Sequence, residues 1–317
     1  MYDISLLFAV IPIYAMVLAG WAARRQGWLK PEGDSSLMRF AIDVTLPCFI
    51  FSSMIGNKKL ESVAFALSTI SIGMFTLSLG LVFAWLASKL LRLKVGQGQR
   101  TFVVTTATHN FGFFVIALVA MLYSNAVGRD AELLGLVFTH NVGCDIIFWT
   151  IGYMLITSTS KISMKTFLRG PILSVLAGLL FIWTGLSKCI PDCVMVSLKM
   201  LGGAAIPMNL VLFGAMIYDM FGLKDFNIKV VASAVALRMF VLPAIFVALA
   251  VLLPVDILLK KLLVFQAVAP CGVTAAVLAK HFGGYPQIAV QITLATMVVA
   301  IFTLPFWLAF GFSLIGA

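Results

Sequence analysis

The feature that most constrains this chain is the spacing of its apolar stretches. A helix needs about 20 consecutive apolar residues to cross the hydrocarbon core of a bilayer. Ten stretches near that length follow one another, at residues 4–23, 36–56, 63–91, 101–123, 132–157, 170–187, 194–219, 228–253, 257–280 and 287–315. The connections are short and hold most of the charge. Only 11% of the 317 residues are charged and 62% are hydrophobic, against about 25% charged in soluble domains. The chain is therefore expected to be one all-α integral membrane unit. Two of the stretches are interrupted. In 104–118 (VTTATHNFGFFVIAL), Thr105, Thr106, Thr108, His109 and Asn110 stand where Leu and Val would be ordinary, and Gly112 follows. In 265–278 (FQAVAPCGVTAAVL), Pro270 removes a backbone donor and Cys271-Gly272 follow. Lipid offers nothing to loosened backbone groups, so such breaks persist only where protein buries them or where they line a cavity.

Orientation follows from Lys and Arg. The odd-numbered connections carry Arg24, Arg25, Lys30, Arg39, Lys89, Arg92, Lys94, Arg100, Lys161, Lys165, Arg169, Lys224, Lys229 and Lys280. The even-numbered ones carry half as many: Lys58, Lys59, Arg129, Lys188, Lys199, Lys260 and Lys261. Odd connections are thus expected on the cytoplasmic side of a plasma or inner membrane, and both termini on the other. The same bias accounts for the net charge of +10 without nucleic acid. The first residues lack the basic start of a cleavable signal, so the first stretch reads as a span. Of five cysteines, Cys48, Cys144 and Cys271 fall inside spans, while Cys189 and Cys193 flank a loop and are expected to stay unlinked. Their spacing suggests no metal site.

The two halves echo each other. Gly112 and Gly272 are 160 residues apart, as are Pro47 and Pro207, Arg39 and Lys199, and Arg100 and Lys260. Pro12 and Pro171 are offset by 159, and the Phe-Trp pairs at 148 and 306 by 158. Five spans per half is odd, so the second half would insert upside down, with interrupted helices in corresponding places and a site at their interface. This gives a first five-helix repeat at 1–157 and a second, inverted one at 170–317. Pro47 and Pro207 are expected to break spans 2 and 7.

Several segments carry a family likeness: 40–47 (FAIDVTLP), 109–112 (HNFG), 269–275 (APCGVTA), 283–286 (GGYP) and 303–307 (TLPFW). With these the chain resembles the auxin efflux carrier family, related to the bile acid–sodium symporters, over essentially its whole length. The resemblance implies ten helices in two inverted five-helix repeats. It also implies a scaffold of spans 1, 2, 6 and 7 that often dimerises, a moving transport domain of spans 3–5 and 8–10, and broken spans 4 and 9 crossing beside the substrate. Asn110 and Pro270 match the family's crossover residues, whereas Asp43 and His109 depart from its pattern.

The residues themselves give candidates for chemistry. An amide donates and accepts, so Asn110 can hold a carboxylate or tie down loosened backbone. Gly112 accompanies it. After Pro270 and Cys271, free N–H groups at Gly272 and Thr274 and the positive end of the following half-helix would attract an anion. His109 can relay protons or be a neutral buried ring. Asn209 is a candidate contact from the scaffold, with bundle glue as its alternative, and Gln266 shares a face with Pro270. In span 5, Asn141 and Asp145 share a helix face beside His140. Intramembrane ionisable groups point to function by default. Asp145 can bind a proton or sodium ion, or pair with Arg238, the cation in the middle of span 8. Asp43, four residues before Pro47, either lies on the substrate path or reaches water.

These readings describe a secondary transporter of small organic anions (carboxylates, auxin-like or malonate- and malate-like) with an elevator-type movement, needing no cofactor beyond a possible coupling proton or sodium ion. Its partners would be the substrate anion, the bilayer and a second copy of the chain. A sodium-coupled, bile-acid-type symporter is the alternative. A membrane enzyme would need an acidic metal cluster or an interfacial nucleophile, and the scattered carboxylates supply neither. A channel would lack the alternating movement that paired broken helices suggest.

Overall fold

The computed structural model describes residues 4–123, 132–159, 169–220, 227–282 and 284–316. Among these residues every regular element is helical. Six helices among the described residues are long and apolar enough to cross a membrane: α2 (Pro31–Met54), α3 (Val63–Leu90), α6 (Leu133–Thr157), α8 (Asp192–Asp219), α9 (Ile228–Leu252) and α12 (Pro286–Ile315). Two shorter apolar helices are α5 (Phe111–Tyr123) and α7 (Gly170–Trp183). The remaining α-helices are α1 (Ile4–Arg25), α4 (Gln99–Ala107), α10 (Ile257–Ala267) and α11 (Thr274–Phe282), with short 3-10 turns at Lys58–Glu61 and Leu186–Cys189. Arg129, Lys161, Lys165, Lys224 and Gly283, used above, lie outside the described residues.

Local sequence sets the helix ends. Ser62, Asn110, Asn227 and Asp256 each accept a hydrogen bond from a first-turn N–H, at the starts of α3, α5, α9 and α10, which answers donors that have no partner inside the helix. Pro31, Pro171 and Pro286 sit in first turns, where a missing N–H costs nothing.

The interior prolines act differently from expectation. Pro47 does not break α2. A π-helical turn at Ala41–Thr45 precedes it, and the helix runs on. A wider turn relieves the clash between a proline ring and the preceding turn. Pro243 in α9 follows a π-turn at Leu237–Val241 in the same register. Its missing N–H leaves the Met239 carbonyl without a helical donor, and Trp307 Nε1 of α12 donates to that carbonyl at 2.9 Å. Pro207 also leaves α8 nearly intact, with one residue, Ala204, interrupting the helix.

Two packing groups emerge. In one, α1 lies on α8, and α2 lies on α7 and the start of α8. In the other, α3 packs on α6 and α4, α9 on α10 and α12, and α12 on α4, α10 and α11. Inside lipid there is little hydrophobic drive for helices to associate, so close backbone approach must supply the contact. The tightest crossings are reciprocal glycine contacts. A Cβ on Gly20 would strike the Val211 carbonyl and one on Gly214 the Val17 carbonyl; likewise Gly73 meets the His140 carbonyl and Gly143 the Ile70 carbonyl. Arg24 ties one end of the first group, meeting Asp34 of α2, Asp219 of α8 at 3.2 Å and the Leu29 carbonyl at 2.7 Å.

Candidate functional site

The two interrupted stretches are helix pairs, α4/α5 and α10/α11, and their breaks cross. The Asn110 N–H donates to the Pro270 carbonyl at 2.7 Å, and the Gly272 N–H donates to the Thr108 carbonyl at 2.8 Å. These bonds make His109 and Cys271 an isolated antiparallel bridge. Each break thereby supplies partners that lipid cannot.

The other loosened groups are also answered. Asn110 Oδ1 accepts from the N–H groups of Phe113 and Phe114 at 3.2 and 3.3 Å, capping α5. Asn141 Nδ2 donates to the Phe111 carbonyl at 3.0 Å. The Cys271 N–H donates to Thr296 Oγ1 at 3.1 Å, and Thr293 Oγ1 donates to the Gly272 carbonyl at 3.4 Å. Arg238, fully buried, caps the end of α10: Nε donates to the Ala269 carbonyl at 2.8 Å, and Nη2 to those of Gln266 at 2.8 Å and Ala267 at 3.4 Å. A cation there complements the negative helix end.

A cavity of about 190 Å³ opens against this crossing. One wall comes from α2 and α7, with Ile42, Leu46, Ile50, Pro171, Ile172 and Val175. The other comes from the crossing and α6, with Thr108, His109, Asn110, Gly112, Gly272, Thr274, Phe138, Asn141, Asp145 and Trp149. Arg169, just before α7, completes the lining, and its guanidinium lies 4.2 Å from the centre of the Trp149 ring. The walls therefore belong to different packing groups. The starts of α5 and α11 both reach the cavity, through Gly112 and Thr274, and a helix start favours an anion. Asn110 Nδ2 is buried without a partner, so the side chain that caps α5 keeps a donor in reserve.

A family described as membrane transport protein matches residues 5–166 and again 158–308. The chain belongs to this family, that of the auxin efflux carriers. An uncharacterized transporter of Methanothermobacter thermautotrophicus is 23% identical over 302 residues, covering 94% of this chain and 96% of that one.

In this auxin efflux carrier family member, Asn110, Gly112, His109, Gly272, Thr274, Asn141 and Asp145 meet at one cavity. Other candidates stand elsewhere. Pro270 and Cys271 belong to the stitched backbone and are absent from the lining; Cys271 Sγ turns to the Thr106 carbonyl at 3.9 Å. The N–H groups of Cys271 and Gly272 are already engaged, so the positive end facing the cavity begins only with Thr274. Arg238 does not pair with Asp145: the π-turn of α9 aims it at α10, while Asp145 faces the cavity. Asp43 is exposed and pairs with Arg39 one turn earlier, at 3.5 Å, away from the lining. Asn209 donates back to the Ala205 carbonyl at 2.8 Å within α8 and does not reach the cavity. His140 sits behind the wall, its ring nitrogens 3.3 Å from Thr76 Oγ1 and 3.4 Å from Asn141 Oδ1. Cys189 and Cys193 are free and exposed.

Sequence reasoning counted Arg169 only as a loop charge and Trp149 only as a repeat marker. Trp149 lies within α6 and Arg169 just before α7, so they are far apart in sequence and only packing brings them together.

Proposed function

We propose that this membrane transport protein is a secondary carrier of small organic anions working by elevator-type alternating access. The observation that carries the reading is the cavity set against two stitched helix breaks, between two packing groups. A site at crossed half-helices is the arrangement by which secondary transporters hold an ion or substrate near mid-membrane. In this reading α1, α2, α7 and α8 form the scaffold, α3–α6 and α9–α12 move as one body, and 1–157 and 170–317 are inverted repeats, each with three helices, then a broken pair, then one long helix, the first helix of the second repeat being the shorter α7.

The substrate carboxylate would lie between Thr274 at the start of α11 and Asn110 Nδ2, with Arg169 at the exposed rim, stacked on Trp149. Its body would rest on Phe138, Trp149 and the aliphatic side chains of α2 and α7. Asp145 is the one carboxylate among the lining residues, and is the natural place for a coupling proton or sodium ion. The cavity is lined by the second half of α2 (Ile42, Leu46 and Ile50), by α6 from Phe138 to Trp149 and by the start of α7, with the exposed Arg169 at its edge. If the Lys- and Arg-rich connections are cytoplasmic, it faces inward.

Uptake of labelled malonate, malate and indole-3-acetate into vesicles tests this. The unaltered protein should accumulate at least one of them saturably, and Asn110→Ala should lower that uptake by roughly tenfold, the effect of one charge-assisted hydrogen bond. Equal uptake by both would remove the proposed site. Flux that never saturates would favour a channel.

A further inference from the structure

Four helix ends meet at the crossing: the C-terminal ends of α4 and α10, and the N-terminal ends of α5 and α11. Each end behaves as roughly half a charge, negative at a C-terminus and positive at an N-terminus. Left alone, two of each sign would largely cancel, and the crossing would have little preference for anions. Arg238 upsets that balance. Three of its hydrogen bonds go to carbonyls at the end of α10, and its Nη1 has no partner. No described carboxylate forms an ion pair with it. The end of α4 has no matching cation: its Thr108 carbonyl takes the Gly272 N–H, and its Thr106 carbonyl has only the Cys271 thiol.

We propose that Arg238, which lines no part of the cavity, is the residue that makes the cavity select anions. It neutralises one negative helix end and leaves the positive ends in excess. The Arg238 guanidinium lies 5.8 Å from the Phe246 ring centre, and that ring lies 6.4 Å from the ring of His109, a cavity residue. The charge is therefore one side-chain layer behind the wall. It is fully buried, so salt does not screen it as it screens a charge at the water-facing rim. Arg169, exposed and stacked on Trp149, is the screened counterpart. Arg238 thus sets specificity without touching substrate. This inference rests on the anion-carrier reading.

The test compares competition by malonate and by its neutral amide, malonamide, against uptake of whichever labelled acid the unaltered protein accumulates, at low and high potassium chloride. In Arg169→Gln, whose altered side chain is exposed, the acid-over-amide preference should survive, and it should survive high salt. Arg238→Gln should reduce that preference by roughly tenfold, the effect of a unit charge about 10 Å away at an effective dielectric near 20, and Arg238→Lys should restore most of it. Loss of the preference in Arg169→Gln, or its collapse in high salt, would assign selectivity to the rim and overturn the proposal. So would an Arg238→Gln protein that folds and keeps the full preference. If Arg238→Gln does not fold, Arg169→Gln and the salt series still decide. An unaltered protein that accumulates none of the acids defeats the carrier reading itself, a result separable from these.

Discussion

The two breaks solve one physical problem by different means. At the α4/α5 break the solution is neutral: Asn110 caps its own helix, and Asn141 of α6 reaches the Phe111 carbonyl. At the α10/α11 break it is charged and remote: Arg238 of α9 gathers three carbonyls that Pro270 and the end of α10 leave open. The neutral break borders the cavity with side chains. The charged break borders it with backbone and keeps its cation behind. One break therefore shapes contact with a ligand, and the other shapes the field a ligand feels.

If that division holds, the charged break is the less tolerant. Arg238→Met removes a buried charge, which by itself is favourable. It also strands three acceptors, each costing about 1–3 kcal/mol when buried and unpaired. The net expectation is a loss of about 3 kcal/mol, read as a lower unfolding temperature in detergent, with Arg238→Lys losing less. A Met variant as stable as the parent would show that α10 needs no cation. Asn110 should be milder. Asn110→Ala removes the cap, worth about 1 kcal/mol. Asn110→Ser keeps a capping oxygen but deletes the spare Nδ2, so it should stay within about 0.5 kcal/mol of the parent while still lowering uptake. Uptake that follows stability in both variants would make Asn110 a staple and nothing more.

That the two breaks exist was legible in the sequence, because a run of threonine, histidine and asparagine, or a proline followed by Cys-Gly, has no ordinary place in an apolar span. Their partners were less legible. Asn110 as a cap follows from its place at a helix start, but Arg238 and Ala269 are 31 positions apart, and only packing brings them together. Charge complementarity suggested Asp145 for Arg238, yet backbone carbonyls at a helix end serve a buried cation equally well. Pro47 and Pro207 misled for a related reason. A proline signals a missing donor, and a π-turn absorbs that deficit in α2 without breaking it. The Asp43–Arg39 pair shows the same limit. Whether a carboxylate near a proline faces a cavity or water depends on helix rotation, which a five-residue π-turn resets.

The glycines give a finer version of the comparison. A Cβ on Gly112 would meet nothing within 4 Å, because that position opens on the cavity; on Gly272 it would meet the His109 carbonyl oxygen at 3.4 Å, an ordinary contact. Gly112→Leu should therefore leave unfolding nearly unchanged, within about 0.5 kcal/mol as for a site with no packing penalty, yet obstruct uptake by filling the cavity. Gly272→Ala should be tolerated in both measurements. Substituting Cys271, beside it, should also leave uptake unchanged. Its thiol is fully buried and reaches the Thr106 carbonyl only at 3.9 Å, a weak donor at long range. Cys271→Ala keeps the backbone N–H bonded to Thr296 and deletes only that contact and a sulfur's volume. A change of about 1 kcal/mol or less is expected, with uptake preserved. A cysteine placed at Gly112 should react with a small polar thiol reagent, protected by transported acid, whereas native Cys271 should not. Equal labelling of the two would mean that the second break also opens on the cavity through its side chains, and the division between a contact break and a field break would fail.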